Sequence, residues 1–135
     1  MLTLVSSETS PYGRKVRVVM DILGLNSKFK LQNASTLDAD DPIRQINPLG
    51  KIPALITEDG TAVFDSRVII DYLDSRFGDG QLIPRDPENR ARILTLAALA
   101  EGIKDALLLV TYEGRFREPV GAVLDAAEVR EKRPR

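Results

Sequence analysis

Three short stretches carry residue types and spacings that can do chemistry. In Ser10-Pro11-Tyr12-Gly13-Arg14-Lys15-Val16 a hydroxyl stands immediately before a proline. Proline fits the first turn of a helix, and serine fits the cap before it. The hydroxyl then falls at a helix N-terminus, where unpaired amides and the macrodipole favour an anion. A thiol with an ordinary pKa of about 8.5 is only slightly ionised at neutral pH. One hydrogen bond to its charged form, worth ~1.5–3 kcal/mol, lowers that pKa by roughly one to two units. Helix-terminus polarity acts in the same direction. A serine so placed activates a bound thiolate without itself being nucleophile or base. The alternative is a serine that only caps its helix. Ser7, Thr9 and Tyr12 are neighbouring hydroxyls that can take the same role.

The second stretch is Asn47-Pro48-Leu49-Gly50-Lys51-Ile52-Pro53-Ala54-Leu55, and the third is Phe64-Asp65-Ser66-Arg67-Val68-Ile69. Ile52-Pro53 opens a strand, where proline is tolerated because its missing donor falls at the edge. A cis bond there would turn the Ile52 amide and carbonyl outward, towards an extended ligand; the alternative is a trans proline in a turn. Asp65-Ser66 falls where a hairpin ends and a helix begins, so its amides and the Ser66 hydroxyl can receive a carboxylate. Either residue is also a good N-cap, and the two roles are compatible. Lys51 is either a further anion contact or a solvated lysine. Arg14, Lys15 and Arg17 read as a solvated helix face, with Arg17 and Asp21 spaced as an i, i+4 pair.

Composition narrows the chemistry. The 135 residues include no cysteine, histidine or tryptophan. That excludes a disulfide, an enzyme thiolate, a Cys-zinc site and a Ser-His-Asp triad, and no metal-ligand set stands out. Any reacting sulfur must arrive with a ligand. Nineteen basic and twenty acidic residues give a net charge of −1, which offers nucleic acid no strongly basic surface. Met1 to Val5 lacks a positive n-region, so it is not a signal peptide. The apolar tract Ile93 to Tyr112 is interrupted by Glu101, Lys104 and Asp105, which argues against a membrane span. A cytoplasmic protein is the expectation.

The elements that must position these residues follow from periodicity. Leu2 to Val5 reads as a buried strand. Val16, Val19, Met20 and Leu23 form a helical face that ends at Gly24. Lys28 to Leu31 is a weaker strand, and a short helix falls near Pro42 to Ile46. Ile52 to Thr57 and Thr61 to Phe64 flank Asp59-Gly60, a hairpin turn. A helix from Ser66 to about Phe77 carries Ile69, Tyr72, Leu73 and Phe77 on one face. Gly78 to Gln81, Pro84 and Pro87 then mark a domain boundary. Residues 88–115 read as a long helix, apolar on nearly all sides, which needs partners on more than one face. A further short helix is read over 118–130, and a basic, frayed tail over Arg130–Arg135. The strand-helix-strand start implies a right-handed parallel crossover, and the hairpin adds antiparallel strands. The fold expected is an α/β thioredoxin-like domain over residues 1–79, a four-stranded mixed sheet with flanking helices. A shortened all-α helical domain over 85–135 follows it.

In order and spacing the three stretches resemble the active-site turn, the cis-proline loop and the acid-serine turn of glutathione transferases. The resemblance is specific over residues 1–80 and looser to about Tyr112. It implies that Ser10 stabilises the glutathione thiolate and that the Ile52-Pro53 backbone pairs with the cysteinyl unit. It also places the γ-glutamyl carboxylate on Ser66, its amino group near Asp65, and Lys51 within reach of the glycyl carboxylate. Glutathione is then a co-substrate, no cofactor is needed, and a small electrophile is the second substrate. The long helix in such proteins lines the acceptor site and a homodimer interface. The missing cysteine points to bacterial, serine-type members rather than those forming a mixed disulfide. Family members continue well beyond this length, so a truncated chain is expected. The competing readings are a non-catalytic glutathione-binding or protein-interaction module and a fragment that binds glutathione but turns over poorly without a partner.

Overall fold

The computed structural model describes residues 1–117; the short helix read over 118–130 and the basic tail lie outside them. Two compact units divide the chain, Met1–Thr95 and Leu96–Arg135. The break at 78–87 therefore lies inside the first unit, with the first turns of the long helix.

The first unit is built on a four-stranded mixed sheet in the order β2-β1-β3-β4. Its strands are β1 (Leu2–Ser6), β2 (Phe29–Asn33), β3 (Ala54–Ile56) and β4 (Ala62–Val63). β1 runs parallel to β2 and antiparallel to β3, and β3 pairs antiparallel with β4. The thioredoxin-like arrangement expected from the sequence is present. β3 and β4 are shorter than their apolar runs because Pro53 offers no donor and Thr57 belongs to the turn. The Thr57 amide donates to the Thr61 carbonyl, and Gly60 closes the turn at φ +85°.

Alternation along β1 supplies both cores. Leu2 and Leu4 join Leu55 under α1 (Pro11–Ile22) and α3 (Ser66–Leu73), where Val16, Val19, Met20, Ile69 and Leu73 meet them. Val5 faces the opposite side, with Ala34, Ala54 and Ile43 of the short α2 (Ile43–Ile46). α1 ends in a full Schellman motif: the Leu25 amide reaches the Met20 carbonyl and the Gly24 amide reaches that of Asp21. Gly24 supplies the required left-handed residue at φ +64°, and buried Leu25 closes the contact.

The helix after the hairpin stops being regular at Leu73, earlier than Phe77. Asp74–Gly78 forms a π-helical turn instead. Buried Asp74 there accepts from the amides of Leu82 (3.0 Å) and Ile83 (2.8 Å) and so holds the following loop.

α4 (Pro87–Phe116) follows directly on Asp86, whose carboxylate accepts from the Asn89 amide at 3.0 Å. Arg90 then meets Asp71 of α3 at 2.9 Å, within the first unit. In the second unit Leu96, Leu99, Ile103, Leu107 and Val110 are all more than half exposed. Among the described residues they form an exposed apolar surface, in line with the all-round apolar pattern. Glu101 is buried there and pairs with Lys104 at 2.9 Å.

α1 lies against β1 at Gly13. A Cβ built there would sit 1.9 Å from the Ser6 hydroxyl oxygen. Gly13→Ala gains up to ~1 kcal/mol of helix propensity but overpacks the junction, at about 1–3 kcal/mol. Net destabilisation is expected, read as a lower urea midpoint at constant slope. A stabilised variant would show that the helix end moves freely.

Candidate functional site

Strand register brings the three chemical stretches to one end of the sheet. Val5 lies opposite Ala54 and Leu55 opposite Val63. Continuing both ladders by one or two residues sets Ser6, Pro53 and Asp65 in a row across the strands. The Ser10 turn leaves the end of β1, the Ile52-Pro53 segment enters β3, and Asp65-Ser66 opens α3.

Ser10 is the N-cap of α1, as its position before Pro11 predicts. It is buried, and its hydroxyl oxygen accepts the Gly13 amide at 3.1 Å. That bond uses a lone pair and leaves the hydroxyl proton free to donate. Ser7 contributes its main chain, accepting at its carbonyl from the Ser10 amide and the Ser6 hydroxyl. Thr9 is exposed and Tyr12 half-buried. Arg17 does not form the expected pair with Asp21. Its guanidinium donates to the carbonyls of Ser7 (3.2 Å) and Glu8 (3.0 Å), clamping the turn before Ser10. Asp21 accepts from Asn26 instead. Three nearby carbonyl and turn partners outcompete one solvated i, i+4 contact.

The Ile52–Pro53 bond is cis, as is Phe64–Asp65, which no sequence feature announced. Buried Asn47 shapes the loop before Pro53: its amide group donates to the Lys51 carbonyl at 2.7 Å and its oxygen accepts the Leu49 amide at 3.0 Å. The Lys51 side chain is exposed. Asp65 caps α3 through the Arg67 amide at 2.8 Å and accepts the buried Ser66 hydroxyl at 3.3 Å. Among the described residues, no cluster of three or more acidic side chains is placed to hold a metal ion. No described helix is long and apolar enough to cross a membrane.

This arrangement can be compared with known proteins. The sequence profile of the glutathione S-transferase N-terminal domain matches residues 4–81. The chain belongs to the glutathione S-transferase family. The GST-like protein YibF of Escherichia coli (strain K12) is 38% identical over 112 residues, 83% of this chain and 54% of that protein. A Pseudomonas fluorescens Pf-5 glutathione transferase family member, solved with bound glutathione, is 49% identical, with a TM-score of 0.82. The match covers 88% of this chain and 59% of that one. A Methylobacillus flagellatus glutathione S-transferase, solved with GSH bound, is 38% identical at a TM-score of 0.82, covering 97% of this chain and 62% of that one. The chain thus spans about half the length of the E. coli relative it matches.

Within this glutathione S-transferase domain, Arg17, Asn47 and Arg67 are the residues whose contacts around the three stretches the sequence reading missed. Arg67 folds back on Asp65 at 3.4 Å, an exposed pair. Partial burial pushes the Asp65 carboxyl up, but the Arg67 amide and guanidinium and the Ser66 hydroxyl outweigh it and hold the carboxyl below its ordinary value. Asp41, held by the Ser35 and Ile43 amides, is also lowered. So is Asp59, held by the Thr57 hydroxyl and the Thr61 amide. Groups lowered on folding stabilise fully above their unfolded pKa of about 3.9 and lose that contribution as pH falls through the folded value. Asp65→Asn is therefore expected to flatten part of the acid limb of the thermal midpoint below about pH 4. An unchanged limb would show that Asp65 titrates alike in both states.

Proposed function

We propose that the protein is a serine-type glutathione transferase that stabilises the glutathione thiolate and directs it to a small electrophile. The carrying observation is the Ser10 hydroxyl, bonded as acceptor to Gly13 at 3.1 Å and so left with a proton to donate. It stands at the N-terminus of a twelve-residue helix whose dipole favours the same anion. In this reading Ser66 and the first amides of α3 receive the γ-glutamyl carboxylate, and Asp65, ionised at neutral pH, meets its ammonium. The Ile52 main chain pairs with the cysteinyl unit beside cis-Pro53, and Lys51 meets the glycyl carboxylate. In this reading residues 1–79 supply this site, and the helical region read over 85–135 contributes to the acceptor pocket and, through the apolar α4 surface, to a homodimer contact. Two solved relatives with glutathione bound support the ligand assignment. Rate enhancement rests on thiolate stabilisation and proximity, with no covalent enzyme intermediate.

Calorimetric titration of the full chain with glutathione, followed by a turnover assay with an activated aryl halide, tests this. Saturable binding with turnover is expected. No binding overturns the reading. Binding without turnover leaves a glutathione-binding module whose acceptor site lies outside this chain.

A further inference from the structure

We propose that the groove between α1 and the outer edge of β2 binds an extended acidic peptide by strand addition. Among the described residues β2 ends the sheet and pairs with β1 alone. The Ala34 amide donates to the Ser6 carbonyl. Because main-chain groups alternate in direction along a strand, those of Leu31 and Asn33 point away from β1. They form an open row that a further strand can pair with.

Beside this row lies a groove of about 410 Å³. Its floor is apolar, from Leu4, Met20 and Phe29, and its wall is one stripe of α1, formed by Arg14, Arg17, Val18 and Asp21. Their i, i+3, i+4, i+7 spacing puts all four on one helix face. Val18 and Leu31 remain 46% and 51% exposed, large apolar side chains on either side of the groove. A second hollow of about 440 Å³ shares Leu31 and continues the track to Asn33 and the Ser7–Thr9 turn. The length of this track suits an extended chain rather than a compact ligand, since five residues of strand span ~17 Å.

Charge selects the occupant. Arg14, Arg17 and Lys30 line the groove against Asp21, and Glu8 lies at the second hollow, so the track carries three cations to two acids in a chain whose net charge is −1. Asp21 is already bonded to Asn26, and Arg17 is fixed by the Ser7 and Glu8 carbonyls. Lys30 alternates with Leu31, so cations flank an added strand on both of its faces. A second copy of β2 would bring Lys30 and Arg14 against their own counterparts, a like-charge contact. A segment alternating acidic and apolar residues meets the main-chain row with its backbone, the floor with its apolar face and Lys30 with its acidic face, while Arg14 on the α1 wall attracts the same acids at longer range.

A fluorescein-labelled seven-residue peptide of alternating Glu and Val, titrated with the full chain by anisotropy, tests this. Saturable binding is expected, weakened at least about fivefold by Lys30→Glu, by Arg14→Glu and by about 0.3 M salt. N-methylation of the peptide amides along one edge is expected to abolish it, with glutathione affinity unchanged in both variants. Equal binding of a Lys/Val peptide, or of the N-methylated peptide, overturns the proposal. So does wild-type affinity in both folded variants, or self-association of the chain through this edge.

Discussion

Ser10→Ala is expected to raise the pKa of the bound glutathione thiol by roughly one to two units, the shift that one lost charge-assisted hydrogen bond produces. Ultraviolet thiolate absorbance across a pH series of the glutathione complex reads this directly. The expected rate loss is smaller than the ionisation loss. A more basic thiolate attacks faster, and the dependence known from thiol–disulfide exchange returns about half of the lost logarithm. Conjugation near neutral pH should therefore fall roughly 3–10-fold, and above both pKa values, where both thiols are fully ionised, the variant should overtake the wild type by a similar factor. The same substitution removes the acceptor for the Gly13 amide, at ~0.5–2 kcal/mol of stability. That second effect separates the two roles. A variant that is less stable but has unchanged thiolate ionisation leaves Ser10 as a cap only and transfers the thiolate contact to Ser7, Thr9 or Tyr12.

What the sequence disclosed is what is encoded within one turn of chain. Ser10 before Pro11, Gly24 after the last apolar position of α1 and Asp59-Gly60 between two apolar runs each act on neighbours three or four residues away. Propensity and cap chemistry therefore identify them. Leu2 to Val5 was legible as a buried strand, whereas its two-sided packing, with Leu2 and Leu4 on one face and Val5 on the other, is seen only in the sheet. The features that were missed depend on partners the local pattern does not contain. Arg17 reaches ten residues back to Ser7, and only the packing of α1 on β1 brings them together. Asn47 was visible as part of a stretch, but its hydrogen bond to Lys51 exists only in the folded loop. The apolar surface of α4 was legible as a demand for partners, whereas their identity is not a property of that helix. The site was thus readable as three stretches, and the strand register that aligns them required the sheet.

Asp74→Ala is expected to destabilise the first unit as much as truncating one of its fully buried leucines. The carboxylate is 1% exposed and accepts two amides, from Leu82 and Ile83, across eight and nine residues of chain. Ile83 is itself buried, at 8% exposure, so water cannot readily replace the lost acceptor. A buried amide left unsatisfied costs ~1–3 kcal/mol, and with the half-buried Leu82 amide costing less than Ile83, the loss is roughly 2–5 kcal/mol. Against a typical total of about 5–15 kcal/mol, that is a large fraction. Asp74→Asn keeps one accepting oxygen but turns an NH₂ group towards a donor, so it should recover little. The urea midpoint should fall at constant slope in both variants. Gly78 reinforces the argument, because a Cβ there would lie 2.4 Å from an Asp74 carboxylate oxygen. The turn closes so tightly on this acid that Gly78→Ala should produce a related loss. Asp74 is far in role from Ser10 and touches none of the proposed glutathione contacts. Glutathione affinity measured well below the lowered midpoint should therefore match the wild type. Destabilisation under about 0.5 kcal/mol would mean that solvent reaches the two amides and that the loop is held by something other than Asp74.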